Sequence, residues 1–370
     1  MLNSFFIKNF RLFRHLTAEG LGRVNLVVGR NNVGKSAFLE AIEVYVSNAA
    51  PRNLLGLISA REETWYGRAQ TEFQRVHGNP IRHIFFGHRV PDPGEEGISL
   101  GPEGRDRDLL QLITAAFQTV ADEGGILQRT RLNPEDIARV EGDVEFALMA
   151  QEGDKLRRIM RLDREIEYVR RPATAPEPDM RYPLQVVPTR NMLPQRVASL
   201  WDITGLTDLA QEVVEGIRLI EPDIQDIAFV EGSVSLRESR VPLLRIQGVR
   251  EPLPLKSMGD GMTRLFHIIL ALVNAQNGIL LIDEFENGLH WSVQEAVWQT
   301  VFRLADRLNV QVFATTHSRD CIAGFEQAWT EHDDAGAFFR LDVSGDAGVK
   351  ARRYTLDTLN DSLHTAVEVR

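Results

Sequence analysis

The sequence has 370 residues, of which 43% are hydrophobic and 25% charged, and its formal net charge is −10. This composition is ordinary for a globular protein, and the acidic balance gives the chain no global attraction for nucleic acid. A single cysteine, Cys321, excludes a disulfide framework or a cysteine-based zinc cluster, so we expect a reducing cytoplasm. The N-terminus lacks the apolar core of a signal peptide, and the apolar run from Leu265 to Val273 is too short to span a bilayer.

The first fifty residues are predicted to open an α/β fold. Short strands are expected at "SFFIKNF" and at "RVNLVV", with a turn near Glu19 and Gly20 between them. Apolar residues recur at helical spacing from Lys35 to Val46, which predicts a helix there. A strand, a glycine-rich loop and a helix in this order are typical of an α/β sheet.

A middle segment separates this start from a second α/β stretch. The region around residues 90–110 is rich in Gly and Pro and indicates a boundary, so we divide the chain into residues 1–100, an inserted α+β lobe at 101–250, and residues 251–370. Within the lobe the patterns predict an amphipathic helix at 107–121, a β-meander at 143–170, a helix at 206–220 and hairpin strands at 224–246.

The α/β pattern returns at Gly278. "GILLID" is a continuous apolar run that ends in an acid, as expected of a parallel strand covered on both faces. A helix is predicted from Trp291 to Leu308, a second buried strand at "VQVFATTHS", and a further helix near Arg319 to Trp329.

The segment from Gly29 to Ser36 matches the phosphate-binding pattern G-x-x-x-x-G-K-[ST] in full. In this pattern the glycines let backbone N–H groups wrap the phosphates, Lys35 adds a charge at the β- and γ-phosphates, and Ser36 offers its hydroxyl to Mg²⁺. The predicted strand before it and helix after it distinguish it from a plain glycine turn. The predicted nucleotide-binding residues are Gly29, Asn31, Asn32, Val33, Gly34, Lys35, Ser36 and Ala37.

Two carboxylates end the strand at "GILLID". At the carboxyl edge of a parallel sheet both acids are expected to face the phosphate site. Asp283 is predicted to hold Mg²⁺, directly or through water, and Glu284 to orient and polarise the attacking water. The alternative is a pair of solvated acids at a strand end.

The next predicted strand ends in Thr315-Thr316-His317-Ser318. A histidine there can hydrogen-bond the γ-phosphate or the attacking water, so His317 joins Glu284 and Lys35 as a predicted catalytic residue. The alternative is a structural histidine.

A second anion site is predicted at "LKSMGDGMTRLFHIILAL". A serine with glycines at a helix start offers free N–H groups and the positive end of the helix dipole. We expect Ser257 and Gly259 to reach the γ-phosphate bound by a second copy of the chain, because their own P-loop is not easily reached. The alternative is an ordinary helix N-cap.

The ordered set "NLVVGRNNVGKSAFLEAI", "LKSMGDGMTRLFHIILAL", "ILLIDEFENGLH" and "VFATTHS" resembles an ABC-class ATPase head. It is most similar to the OLD-type (overcoming-lysogenisation-defect) AAA-family ATPases related to SMC and RecF heads, as are the early "NFRLF" and the closing "VEVR". The resemblance implies an α/β P-loop NTPase fold, ATP hydrolysis with Mg²⁺, and a homodimer that encloses two ATP molecules. It also implies that Ser257 and Gly259 contact the partner's nucleotide.

The sequence departs from the pattern of this group at several positions. Met258 stands in place of a glycine and Asp260 in place of Gln or Glu, while Asn287-Gly288-Leu289-His290 stands where a dimer-loop aspartate is expected. A Q-loop glutamine is not evident, with Gln70 and Gln74 as candidates. These departures argue against a third alternative, a transporter ATPase coupled to a membrane subunit.

The resemblance also bears on partners. OLD-type proteins often carry a C-terminal TOPRIM nuclease, and we expect any such effector here to be a separate protein, in phage defence or DNA maintenance. A RecF-like head that binds DNA directly is the main alternative, on the arginine-rich segment 155–171 that contains Arg157 and Arg158. A charge-mixed solvated surface is the other interpretation of that segment.

Overall fold

The computed structural model describes residues 1–65, 72–121, 127–140, 142–164, 179–231, 240–332, 335–345 and 348–365. Several positions discussed above lie outside these ranges: Gln70, the charged residues Glu165, Glu167, Arg170 and Arg171, and the closing "VEVR".

The strands, in chain order, are β1 (Ser4–Phe10), β2 (Phe13–Glu19), β3 (Val24–Gly29), β4 (Ile98–Gly101), β5 (Leu110–Ala121), β6 (Leu127–Leu132), β7 (Val144–Glu152), β8 (Lys155–Arg161), β9 (Leu184–Val187), β10 (Ile224–Glu231), β11 (Arg240–Ile246), β12 (Leu253–Pro254), β13 (Ile279–Ile282), β14 (Gln311–Thr315), β15 (Gly336–Val343) and β16 (Val349–Tyr354). The α-helices are α1 (Lys35–Val46), α2 (Pro51–Ala60), α3 (Glu72–Gly78), α4 (Pro194–Thr204), α5 (Leu209–Ile217), α6 (Asp260–Val273), α7 (Trp291–Arg307), α8 (Arg319–Glu331) and α9 (Leu356–His364).

A largely parallel sheet forms the centre of the fold. Its strand order is β16-β15-β3-β14-β13-β9, and neighbours run parallel except β16, which pairs antiparallel with β15. The strands predicted at "GILLID" and "VQVFATTHS" are β13 and β14, which lie side by side. The carboxyl ends of β3, β9, β13 and β14 therefore meet at one edge of the sheet.

An antiparallel sheet covers the other part of the chain and corrects one prediction. Its order is β2-β1-β4-β5-β7-β8, with β6 beside β5. The helix predicted at 107–121 is wrong, because this segment is β5, paired with both β4 and β7. Its Ile, Thr, Phe and Val side chains fit a pleated surface, and pairing on two sides overrides the helical spacing. β2 was also not predicted; it forms a hairpin with β1 and ends at the expected turn.

Segments between residues 101 and 250 complete both sheets. β5 to β8 extend the sheet that β1 and β2 begin, and β9 forms the edge of the parallel sheet beside β13. The helix expected at 206–220 is confirmed as α5, and the hairpin expected at 224–246 as β10 and β11. The division of the chain at residues 100 and 250 stays a prediction.

α6 is enclosed on all sides. It contains the apolar run from Leu265 to Val273, and each residue from Met262 to Val273 is buried. α4, α5 and α7 pack around it. Other parts of the protein therefore bury α6. Among the residues described, no helix combines the length and apolarity needed to cross a bilayer.

The arginines of the β7–β8 hairpin are held by neighbouring groups. Glu145 on β7 forms ion pairs with Arg158 at 3.0 Å and Arg161 at 3.3 Å. Arg157 donates to the backbone carbonyl of Asn48 at 2.5 Å. These contacts support the interpretation of the segment as a charge-mixed surface.

His267, inside α6, makes stability depend on pH. Its burial, with the nearby charges of Arg264 and Lys256, lowers its pKa from 6.5 to about 4. As pH falls below about 6.5 the unfolded chain takes up a proton here, whereas the folded chain does not until about pH 4. The stability is therefore full above about pH 6.5 and decreases by about 3 kcal/mol by pH 4.

We expect the substitution His267→Leu to remove this dependence. Between pH 7 and pH 4.5, the free energy of unfolding of the natural chain should fall by about 2–3 kcal/mol more than that of the variant, measured by urea unfolding. His364→Leu, at an exposed position of α9, is the matched control and should behave as the natural chain. An equal pH slope in the natural chain and His267→Leu would contradict the assignment.

Candidate functional site

The loop after β3 is shaped for backbone contact with phosphate. Gly29 has a φ of 148° and Gly34 a φ of 107°. A Cβ atom at Gly29 would lie 2.6 Å from the carbonyl oxygen of Leu341, and one at Gly34 would lie 2.6 Å from the ring of Phe13. These positions therefore require glycine. α1 begins at Lys35 without a side-chain cap, which leaves its first backbone N–H groups free to bind an anion.

Lys35 is folded over the loop. Its Nζ donates to the carbonyl oxygens of Gly29 at 2.8 Å and Arg30 at 3.1 Å. Partial burial lowers its pKa, while the carboxylates of Asp283, Glu284 and Glu286 act in the opposite direction. The Lys35 ammonium thus lies in the electrostatic field of the acids that follow β13.

The other predicted loop residues take different positions. The side chains of Asn31 and Asn32 are exposed, whereas those of Val33 and Ala37 are buried. Val33 and Ala37 can therefore meet a nucleotide only through their backbone N–H groups.

Asp283 is the centre of the site. It follows β13, and its carboxylate accepts hydrogen bonds from the hydroxyls of Ser36 at 2.9 and 3.0 Å, Thr189 at 2.9 Å and Thr315 at 2.6 Å. Ser36 and Asp283 were both predicted here, and the fold brings them together. Carboxylate and hydroxyl oxygens are ligands that Mg²⁺ prefers, so this pair fits a magnesium site.

Thr189 and Thr315 were given no role from the sequence. Thr189 lies two residues beyond β9, and Thr315 is the last residue of β14. Both strands flank β13, so the sheet order explains why both hydroxyls lie next to Asp283. The signal in the sequence was a threonine at the carboxyl end of each strand, and it became informative only once the order was known.

Glu284 is held by its backbone. Its φ of 51° is left-handed, an uncommon conformation for a residue other than glycine. Its N–H donates to the Thr315 hydroxyl at 2.9 Å, and its carbonyl oxygen accepts from Arg264 Nη2 at 2.8 Å. The side chain is half-buried and carries no hydrogen bond among the described residues, so it is available to a water molecule.

His317 is paired with an acid that the sequence analysis missed. Glu286 Oε1 accepts from the His317 backbone N–H at 3.0 Å and lies 3.1 Å from His317 Nδ1. This contact directs the Nδ1 proton to Glu286 and leaves Nε2 as the free ring nitrogen. His317 lies one strand away from Asp283, as predicted.

In the part of the chain that the structure describes, the Ser257 turn, Leu255–Met258, makes none of the hydrogen bonds that join these residues. It packs on α6, β11 and β12. Ser257 is exposed and its side chain makes no hydrogen bond within the described chain, while Gly259 has a φ of 92° with open space beside it. α6 starts after Gly259 without a side-chain cap. The turn therefore offers unpartnered donors to an anion from outside.

The turn after β13 takes the place of the expected dimer-loop aspartate. Asn287 donates to the carbonyl of Thr189 at 2.8 Å, and His290 caps α7 by accepting from the N–H of Ser292. Gln74, a Q-loop candidate, is exposed on α3. It is not on the elements that supply the described hydroxyl partners of Asp283.

Two domain models match the segments that carry this site. Residues 1–80 match "AAA ATPase domain", and residues 202–320 match "AAA domain, putative AbiEii toxin, Type IV TA system". The first contains the P-loop, and the second contains the Ser257 turn, Asp283 and His317. The chain is an ATPase that matches AAA domain models over these two segments.

Comparisons over the whole chain agree with this assignment. "Crystal structure of the SmcHead bound to the C-winged helix domain of ScpA" covers 96% of the ATPase and is itself covered to 98%, with a TM-score of 0.51 and 15% identity. The ATPase therefore has the fold of an SMC head. A Helicobacter pylori protein named "ATP/GTP phosphatase" is 22% identical over 357 residues, with 90% of each chain covered. The OLD-type resemblance is narrower than these findings and stays a prediction.

We expect Thr315→Val to reduce the ATPase rate without removing nucleotide binding. The substitution keeps the shape but deletes the hydroxyl that bonds both Asp283 and the N–H of Glu284. Because Glu284 is the predicted water-orienting residue, displacing its carboxylate should lower kcat by about 10–100-fold, while KM should change by less than about threefold.

Steady-state phosphate release measures both constants. Thr316→Val is the matched control, because Thr316 is equally buried but its hydroxyl accepts from Ser318 N–H instead. Equal losses in the two variants would show that the effect is general to this strand end.

Proposed function

We propose that this ATPase is a nucleotide-dependent homodimeric switch. Two heads close on two ATP molecules, and each Ser257 turn completes the site formed by the partner's P-loop. The observation that carries the proposal is the exposed turn itself: the Ser257 hydroxyl has no hydrogen-bond partner among the described residues, a Cβ atom at Gly259 would meet open space, and α6 begins without a side-chain cap. A helix N-terminus of this kind is suited to a phosphate, and the protein's own phosphate loop lies elsewhere, after β3.

Each head supplies most of its own site. Backbone N–H groups from Gly29 to Ala37 surround the phosphates, with Asn31 and Asn32 at the exposed rim, and Lys35 moves from the loop carbonyls to the β- and γ-phosphates. Ser36 and Asp283 are the residues that would hold Mg²⁺. When bound, the metal ion neutralises charge on the phosphates.

Hydrolysis then requires one positioned water. Glu284 orients the water and accepts its proton as the water oxygen bonds to the γ-phosphorus and the bond to the β,γ-bridging oxygen breaks. His317 is held through Nδ1 by Glu286: with a neutral ring its Nε2 accepts a hydrogen bond from the attacking water, and with both ring nitrogens protonated its Nε2 donates to a γ-phosphate oxygen. The negative charge of the phosphate bound by the partner also attracts the Ser257 turn and so favours closure of the two heads.

Closure and release of the heads would be read by a separate effector protein, in phage defence or DNA maintenance. The resemblance to OLD-type ATPases supports this setting, as does the toxin–antitoxin description of the matching domain model. The RecF-like alternative, direct DNA binding through Arg157 and Arg158, has less support because both arginines are engaged within the chain.

The test is the mass of the Glu284→Gln variant, measured by light scattering during size exclusion. Hydrolysis should fall by about 100-fold or more, and ATP with Mg²⁺ should convert the variant from monomer to dimer while ADP does not. GTP is tested in parallel. A Glu284→Gln chain that stays monomeric with either triphosphate would remove the proposal.

Second substitutions in the Glu284→Gln chain separate binding from closure. Ser257→Arg should keep nucleotide binding but block the dimer, whereas Lys35→Ala should lose binding itself. Ser362→Arg is the matched control, since the Ser362 hydroxyl bonds Thr358 of its own helix, and it should leave the dimer intact.

A further inference from the structure

Arg264 is a buried arginine that no motif of the sequence singled out. It lies near the start of α6, seven residues after Ser257, and is 2% exposed. Its Nη1 donates to the carbonyl oxygen of Pro188 at 2.5 Å, and its Nη2 donates to those of Asp283 at 2.6 Å and Glu284 at 2.8 Å. One guanidinium therefore joins α6 to the ends of β9 and β13.

The position is an expensive one for a cation. Burial lowers the pKa of Arg264 to about 10, and the side chain's Nε has no hydrogen-bond partner within the described residues. A buried charge is tolerated when it forms strong hydrogen bonds, and an arginine can bond several carbonyls at once through its planar fork. A residue needed only to fill space here would be apolar, as most of the buried residues of α6 are.

The carbonyls that Arg264 binds belong to the two sides of the catalytic site. Glu284 is in a left-handed conformation, and Arg264 holds its carbonyl while the Thr315 hydroxyl holds its N–H. Pro188 precedes Thr189, whose hydroxyl bonds Asp283. The direction of the Glu284 side chain thus depends on where the guanidinium lies.

The same helix connects Arg264 rigidly to the Ser257 turn. A Cβ atom at Gly261 would lie 2.7 Å from the carbonyl oxygen of Gly288, so the start of α6 is in close contact with the turn that follows Glu284. From Met262 onward every side of the helix is packed. A close-packed helix moves as a unit, so a shift of its first turn carries the guanidinium with it.

We propose that Arg264 is a positioning residue that couples the Ser257 turn to the catalytic carboxylate. Contact of the turn with the partner's nucleotide sets the position of α6, and Arg264 passes that position to the backbone of Asp283 and Glu284. Hydrolysis at one site is thereby adjusted to closure of the dimer. This inference rests on the proposed shared site.

The first test compares kcat with KM. Arg264→Gln should lower kcat by about 100-fold and change the KM for ATP by less than about threefold, because the phosphate loop does not depend on it. Arg264→Lys keeps the charge but not the fork and should recover part of kcat. Arg218→Gln is the matched control: Arg218 also donates to two backbone carbonyls, those of Ile224 and Gln225, away from the site.

The second test is a double-mutant cycle with Ser257→Ala. If Arg264 carries the signal, the kcat of the Ser257→Ala, Arg264→Gln chain should match that of Arg264→Gln alone within about threefold. If the two losses multiply, or if Ser257→Ala alone has no effect on kcat, the coupling is overturned. Equal losses for Arg264→Gln and Arg218→Gln would overturn the positioning role.

ATP-induced dimerisation distinguishes this proposal from the shared site on which it rests. Arg264→Gln combined with Glu284→Gln should still form the ATP-bound dimer, since closure precedes the step that Arg264 controls. Loss of that dimer, with Glu284→Gln alone still dimeric, would overturn the coupling role. A Glu284→Gln chain that never dimerises would overturn the shared site and the coupling with it, whereas a selective loss of kcat in Arg264→Gln would then still support positioning. Thermal unfolding of each variant identifies any that fail to fold, and Arg264→Lys then decides the kcat test.

Discussion

The arrangement of this ATPase depends on the Asp283 carboxylate and the hydroxyls around it. A partly buried carboxylate is costly unless its oxygens are bonded, and here Ser36, Thr189 and Thr315 supply those bonds from α1, the end of β9 and β14. This requirement joins the phosphate loop to three neighbouring strands. The parallel order β14-β13-β9 brings these hydroxyls within hydrogen-bond distance of Asp283, so the sheet order that defines the fold also forms the site.

The parts of the site that local sequence determines were predicted well. The phosphate loop is specified by glycines at positions where a Cβ atom would collide, and the helix after it begins and ends as predicted, at Lys35 and Val46. Asp283 and His317 lie where they were predicted because each follows the carboxyl end of a buried strand. Such signals need only a few adjacent residues, and their physical reasons are local.

The parts that depend on distant pairing were missed. The spacing of apolar residues in β5 is helical when the segment is taken by itself. The strands that pair with it, β4 and β7, lie in other segments of the chain. Thr189 follows a four-residue strand whose neighbour, β13, is about 90 residues away, so nothing nearby marked it as a partner of Asp283. Arg264 stood in an apolar helix, where a lone cation gives no sign of whether it faces water or three carbonyls.

Asp283 and Glu284 are held in two different ways, one through a side chain and the other through the backbone. The Asp283 side chain is fixed by hydroxyls from the head's own strands, whereas the backbone of both residues is fixed by Arg264 from α6. A displacement of α6 would therefore shift the backbone carbonyls of both residues, while the hydroxyls keep the Asp283 carboxylate in place. A buried helix has few positions open to it, so such an arrangement favours two discrete positions of the Glu284 carboxylate over a continuous range.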